Sequence, residues 1–201
     1  MERMFILPLY TDNTDMKSTV ILTVHNKADI LREHVLPALA KYTDWSYSDL
    51  VVVLDGCTDN SDIIVENFCK DNPKIKTKIL SAPNVFETKA NNLAAKASEG
   101  DYIIILQDDV ILNEQDWNLR LLKPFSSFSD VFAVTGNTAH NWEVNPNSQD
   151  IKTNIVHGDT WCDILNHIHH ANRSNTPRDI FAVRDCVNRA PLAINRSDLQ
   201  T

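Results

Sequence analysis

An α/β fold, with a mostly parallel sheet covered by helices on both faces, is what this sequence predicts, and three observations carry that prediction. The apolar runs "STVILTV" (18–24), "DLVVVL" (49–54) and "YIIIL" (102–106) are nearly continuous, as strands buried on both faces must be. Stretches with helical apolar spacing separate them, which gives βαβ order. Polar groups, His25-Asn26, Asp55 and Gln107-Asp108-Asp109, stand where three strands end. In parallel sheets ligands collect at the carboxyl ends of strands.

Each element has its own signal. Residues 1–17 read as a polar lead-in, and the apolar run within "MERMFILPLY" is short and holds Pro8, too weak for a signal peptide. Residues 18–24 form a β-branched run ending at His25-Asn26. "ADILREHVLPALAKY" carries Ile30, Leu31, Val35, Leu36 and Leu39 at helical spacing, with Pro37 set to kink or split the helix. The second strand, 49–54, is followed by a helix over 59–73 that starts on Asp and Ser and stops at Asn72-Pro73. "KTKILS" (76–81) alternates like an edge strand. An Ala-rich helix over 87–100 stops at Gly100. The strand 102–106, a helix over 114–125 ending near Pro124, and a strand over 130–137 complete the regular part. Beyond residue 138 the pattern weakens; "TWCDILNHIHHANRSNTPRD" reads as a helix then a loop, and "IFAVRDCV" and "APLAI" as strands. No linker or repeat intervenes, so residues 1–201 are read as one domain, with 18–137 as one half and 138–201 as the other.

Bulk properties narrow the function. A chain of 201 residues, 43% apolar and 23% charged, suits a soluble domain with a real core. A net charge of −8 repels nucleic acid, and an anionic ligand would need a cation, a helix N-terminus or a metal to hold it. No stretch is long enough to span a membrane. Cys57, Cys69, Cys162 and Cys186 form no C-x-x-C pair and read as reduced thiols of a cytoplasmic protein; the sequons at Asn172 and Asn195 then carry no meaning. The histidines His140, His157, His167, His169 and His170 lack any metal-site spacing and read as solvated.

Two stretches carry the chemistry. "QDDV" alone fits a polar strand end; paired with "LDGCTD" it points to a hard divalent cation, Mn²⁺ or Mg²⁺, which takes oxygen ligands and completes its shell with substrate phosphates. The ordered series "STVILTVHN", "VVVLDGCTDNS", "NVFETKANNLAAKASEGDYIIILQDD" and "CVNRAPLAINRSDL" resembles the family 2 glycosyltransferases of the GT-A fold, a Rossmann-like architecture. Asp55, Gly56 and Asp59 are in register with that family's D-G-S-x-D segment, with Cys57 in place of Ser; Asn84, Ala90, Asn92, Gly100, Asp101 and Tyr102 match its later pattern.

The resemblance implies an inverting transferase that takes a nucleotide sugar, UDP-sugar favoured, and passes the sugar to a glycan or other hydroxyl acceptor. It implies that Asp55 hydrogen-bonds the base, that the backbone of Val24, His25 and Asn26 walls it, that Asn84 and Asn92 line the nucleotide site, and that Asp108 approaches the ribose or the metal. Asp109 aligns with the last Asp of D-x-D and would bind the metal, with Asp108 beside it. Arg189 is the basic residue preferred on the acceptor side, over Lys89, Arg178 and Arg184. The sequence departs from the family at Gln107, which replaces the first Asp of D-x-D, and at Phe86 and Ala94, which stand where Gly is common; Phe86 would narrow the cleft or stack on a ring.

The family's general base lies beyond the segment that "APLAINRSDL" resembles, and neither Asp185 nor Asp198 matches it, so the catalytic base is unassigned. The expected molecule is a donor-binding portion cut short before that base, with an apolar face near 180–201 suited to a homo-oligomer. Two readings follow: an active transferase, or a non-catalytic nucleotide-sugar-binding domain. A dinucleotide oxidoreductase lacks its G-x-G-x-x-G here, and a receiver domain would need its acidic pair after the first strand, where this chain has His25-Asn26.

Overall fold

The computed structural model describes residues 4–6, 16–136, 180–182 and 190–199. In chain order the elements are β1 (Met4–Ile6), β2 (Ser18–Val24), α1 (Ala28–Ile30), a π-helical turn (Leu31–Val35), α2 (Leu36–Tyr42), β3 (Ser48–Asp55), α3 (Ser61–Asp71), β4 (Thr77–Ala82), α4 (Glu87–Ala97), β5 (Tyr102–Gln107), α5 (Trp117–Ser127), β6 (Ala133–Thr135), β7 (Ile180–Ala182), β8 (Leu192–Asn195) and a 3₁₀ turn (Arg196–Leu199). The chain divides into two compact units, residues 1–7 with 137–185, and residues 8–136 with 186–201. In the first, β1 pairs antiparallel with β7, so the expected lead-in contains a strand.

The second unit holds a six-stranded sheet of order β4-β3-β2-β5-β8-β6. β2 to β5 are mutually parallel, and β8 runs antiparallel to both β5 and β6. The side-chain period of two sends Val20, Leu22 and Val24 into one apolar cluster with Leu31, Val35, Leu39, Val65, Leu121 and Leu122, whereas Ile21 joins Val51, Val53, Ala90 and Ala94 in another. One face of the sheet is therefore covered by α2, α3 and α5 and the other by α4, which is why β2 reads as an unbroken apolar run. Ala90 and Ala94, one helical turn apart and fully buried, let α4 lie close to the strands.

Three boundaries differ from the sequence reading. Pro37 does not break its helix; the turn before it widens, with the Leu36 N–H bonding to the Leu31 carbonyl five residues back. A π-turn removes the clash that a proline ring makes with the preceding turn. α5 runs past Pro124 to Ser127, and the hydroxyls of Ser126 and Ser127 bond to the Lys123 carbonyl in that last turn. β6 is three residues long, shorter than expected.

Polar anchors tie the layers together. Asn118 is fully buried; its amide takes the Asp44 N–H at 3.0 Å and donates to the Asp44 carbonyl at 2.8 Å and to Ser48 Oγ at 3.0 Å. Gly100 packs where a Cβ would lie 2.5 Å from the Ser18 carbonyl carbon, which explains the glycine that opens β5.

Candidate functional site

Register brings the candidate residues together. Val24 is level with Leu54, and Thr23 with Gln107, so His25, Asp55 and Asp108 leave the sheet within one residue of one another. The strand order also reverses here, with β3 on one side of β2 and β5 on the other. Loops on the two sides of such a reversal diverge and leave a crevice. It is a cleft of about 320 Å³ lined by Thr23, His25, Asp55, Asn84, Phe86, Glu87, Asn91, Leu106, Gln107, Asp108 and Asp109.

His25 and Asn26 make the β2 corner. The Asp55 carbonyl accepts from His25 Nδ1 at 2.5 Å; a carbonyl carries no proton, so Nδ1 is the protonated nitrogen. The other ring nitrogen, Nε2, then accepts from the Asn26 amide at 3.4 Å. Asn26 Oδ1 accepts the Thr58 N–H at 2.7 Å and the Asp59 N–H at 3.3 Å. With φ of +53°, Asn26 occupies the left-handed region that asparagine tolerates. Asp59 continues the brace by accepting from Ala28 N–H at 3.0 Å and Ser61 N–H at 2.9 Å, where two helices begin. Desolvation works to raise its carboxyl, but these bonds, led by those from Ser61, hold it below its ordinary value. Cys57 donates to the Val24 carbonyl at 3.4 Å, and burial pushes its thiol up, which disfavours the thiolate.

Asp55 is buried and has a specific task. Its Oδ1 accepts the Val85 N–H at 2.6 Å and its Oδ2 the Phe86 N–H at 2.9 Å. The carboxylate thus fixes the loop between β4 and α4. Gly56, at φ +63°, lies where a Cβ would be 2.6 Å from Asn84 Cβ, so the two turns are in direct contact.

Asp108 and Asp109 form the acidic end. The His25 N–H donates to Asp108 Oδ2 at 2.8 Å, joining the ends of β2 and β5. Desolvation is the main reason the Asp108 carboxyl rises to about 6; Asp109 adds to it, while the His25 N–H and Lys27 oppose it. Neither aspartate forms an ion pair among the described residues. Nor do the described residues hold three metal-binding side chains in one group. Two adjacent carboxylates, one desolvated and lacking a cation, are nevertheless a hard-oxygen donor set that fits Mn²⁺ or Mg²⁺ when phosphates and waters complete the shell.

Asn92, expected at the nucleotide site, does not line this cleft; its neighbour Asn91 does, and accepts from Thr23 Oγ1 at 2.6 Å. Val24 is fully buried and can contribute backbone only. Arg189 and the candidate histidines other than His25 lie outside the described residues, as do Arg178, Arg184 and Asp185. Lys89 is exposed on α4 and is absent from the cleft wall. Sequence reasoning missed Glu87, whose Oε1 accepts from Gln107 Nε2 at 2.8 Å. The neutral residue at 107 was the available signal, because an aspartate there would face a second carboxylate.

Comparison with known proteins matches residues 19–188 to the family model described as glycosyl transferase family 2. Among solved structures, the chain is similar to the mannosyltransferase PcManGT from Pyrobaculum calidifontis, in complex with GDP-Man and Mn²⁺, at TM-score 0.57 and 20% identity over 65% of this chain and 37% of that one. It is also similar to glucosyl-3-phosphoglycerate synthase from Mycobacterium tuberculosis, in complex with Mn²⁺, UDP and glucosyl-3-phosphoglycerate, at TM-score 0.57 and 15% identity over 94% of this chain and 62% of that one. These likenesses are of fold, GT-A, and the chain spans less than two thirds of either protein's length. A comparison with curated proteins gave no match.

Proposed function

The chain belongs to glycosyl transferase family 2, and from that premise we propose that it is a metal-dependent, inverting glycosyltransferase that moves a sugar from a nucleotide sugar, UDP-sugar favoured, to a hydroxyl acceptor. The observation that carries the reading is the adjacent pair Asp108-Asp109 in one cleft with His25 and Asp55 at the strand ends.

In this reading Asp108 and Asp109 hold Mn²⁺ or Mg²⁺. Bound there, the ion supplies Lewis-acid stabilisation of the diphosphate leaving group. The protein's own residues position and bind. His25 fixes one oxygen of Asp108 through its backbone N–H. Asp55 fixes the Val85–Phe86 backbone as one wall of the nucleoside subsite, and the His25-Asn26 corner forms another. No helix among the described residues is long and apolar enough to cross a membrane, and Cys57 and Cys69 are free thiols; a cytoplasmic site of action is part of the proposal.

Calorimetric titration of UDP, GDP and their sugar conjugates, with and without Mn²⁺, tests it. Metal-dependent binding that Asp109→Ala abolishes is the expected result; nucleotide binding indifferent to metal and to Asp109 would sink it. A second reading, a non-catalytic nucleotide-sugar-binding domain, is favoured by Gln107, whose amide is engaged by Glu87 at 2.8 Å where an acidic ligand is expected. It is distinguished by donor binding with neither sugar transfer nor donor hydrolysis.

A further inference from the structure

Phe86 lines the cleft in a backbone conformation that suits glycine. Its φ is +68° and its ψ 159°, a region that residues with a Cβ essentially avoid. Its ring is 77% exposed while lining the cleft. The strained backbone is held from below, since the buried Asp55 carboxylate accepts the N–H groups of Val85 and Phe86. An exposed phenyl ring gives the free protein little burial energy, so the strain is not offset by packing.

We infer that Phe86 is a platform on which the nucleobase of the donor stacks, an affinity-determining contact that rests on the nucleotide-sugar reading above. The cleft lining combines two chemistries. Asp108 and Asp109 suit a diphosphate bridged by a cation, and a phenyl ring offers a phosphate nothing. The group that gains from Phe86 is flat and has a π-face. A nucleobase has that shape, whereas a hexose ring is puckered and hydroxylated. A neighbouring cleft residue agrees: Asn84, with an exposed side chain, lines the same cleft and offers hydrogen bonds to a base edge. His25 and Phe86 are both tied to Asp55, the first through the Asp55 carbonyl and the second through Oδ2, so one residue sets both sides of the subsite.

Stacking is tolerant of base identity, because every base has a π-face. Phe86 therefore supplies affinity, and hydrogen bonds to the base edge supply the choice among bases.

The test uses the full chain with Mg²⁺ and four probes: UDP, a UDP-sugar, inorganic pyrophosphate, and the uracil H5 and H6 resonances of bound UDP. Phe86→Ala is expected to weaken UDP and the UDP-sugar alike, by roughly tenfold or more, and to leave pyrophosphate binding unchanged. Phe86→Tyr should restore UDP affinity. The uracil protons should move upfield on binding the wild type and lose that shift in Phe86→Ala. Unchanged UDP affinity in Phe86→Ala overturns the inference, including the case where only the UDP-sugar weakens, which would give the ring to the sugar. Equal loss of pyrophosphate overturns it too, because the defect would then be loop position. If the wild type binds pyrophosphate but no nucleotide, the nucleotide-sugar reading itself fails and takes this inference with it.

Discussion

The backbone N–H of His25, one residue past β2, donates to Oδ2 of Asp108, one residue past β5, at 2.8 Å. This bond couples the two strand ends that flank the reversal of strand order, and it does so through a carboxylate that burial already penalises.

Asp108 therefore costs the free protein stability at neutral pH. Its folded-state value, about 6, lies above the ordinary 3.8. Below pH 3.8 the group is protonated in both states and contributes nothing. As pH rises between 3.8 and about 6 the unfolded chain releases its proton first, so folding stability falls, and the penalty is complete above that window. Asp108→Asn keeps an acceptor for His25 and removes the penalty. Chemical denaturation should find the variant on the order of 2 kcal/mol more stable than wild type at pH 7.5, discounted for solvent screening, with no difference near pH 3.5. The same variant should lose metal-dependent nucleotide binding, so stability and function move in opposite directions.

Asp55→Ala should behave in the opposite way. It strips both Val85 and Phe86 N–H groups of their acceptor beneath a wall of the cleft. Two charge-assisted bonds and a buried side chain are lost, a destabilisation of about 3 kcal/mol. Asp55→Asn should be intermediate, because its amide presents one acceptor and one donor to two N–H groups. Urea denaturation measures the size, and amide exchange at Val85 and Phe86 should accelerate more than exchange in β2.

Phe86→Gly should raise thermal stability. Releasing the positive-φ strain gains ~1–3 kcal/mol, and the added freedom of glycine in the unfolded chain returns ~0.5–1 kcal/mol. Little burial is lost from a ring that is 77% exposed. A net gain of about 1 kcal/mol corresponds to a rise of roughly 2–4 °C for a chain of this size. A scanning calorimetry trace with lowered Tm would contradict the strain argument.

The frame of the molecule was legible because its signals are local. Residues 18–24 were bounded correctly since a β-branched run leaves the strand no other use, and the covering of both faces followed from the same run. Polar residues placed after strands marked the cleft for the same reason. What could not be read depends on contacts distant in sequence. The bonds of Asp55 go to a loop thirty residues later. The choice between Asn91 and Asn92 rests on about 100° of helix rotation, which a matched motif does not resolve. Gln107 looked like a weakened metal ligand, but its partner Glu87 lies on another element. Pro37 was read as a kink or split and Pro124 as a helix end, whereas the turn before Pro37 widens and the helix holding Pro124 runs on to Ser127.

The position of β8 has a consequence for how the chain is made. During synthesis β2, β3, β4 and β5 emerge with their parallel partners and can assemble early. The outer edge of β5 cannot close, because the strand that covers it is Leu192–Asn195. β6, already made, must also wait, since it joins the sheet through β8. Until the ribosome has released that segment, the Ile103–Ile105 stretch presents an unpaired, apolar edge, the kind of template on which nascent chains pair with one another. Among the described residues β8 is thus a closing strand, made after both of the strands that it joins.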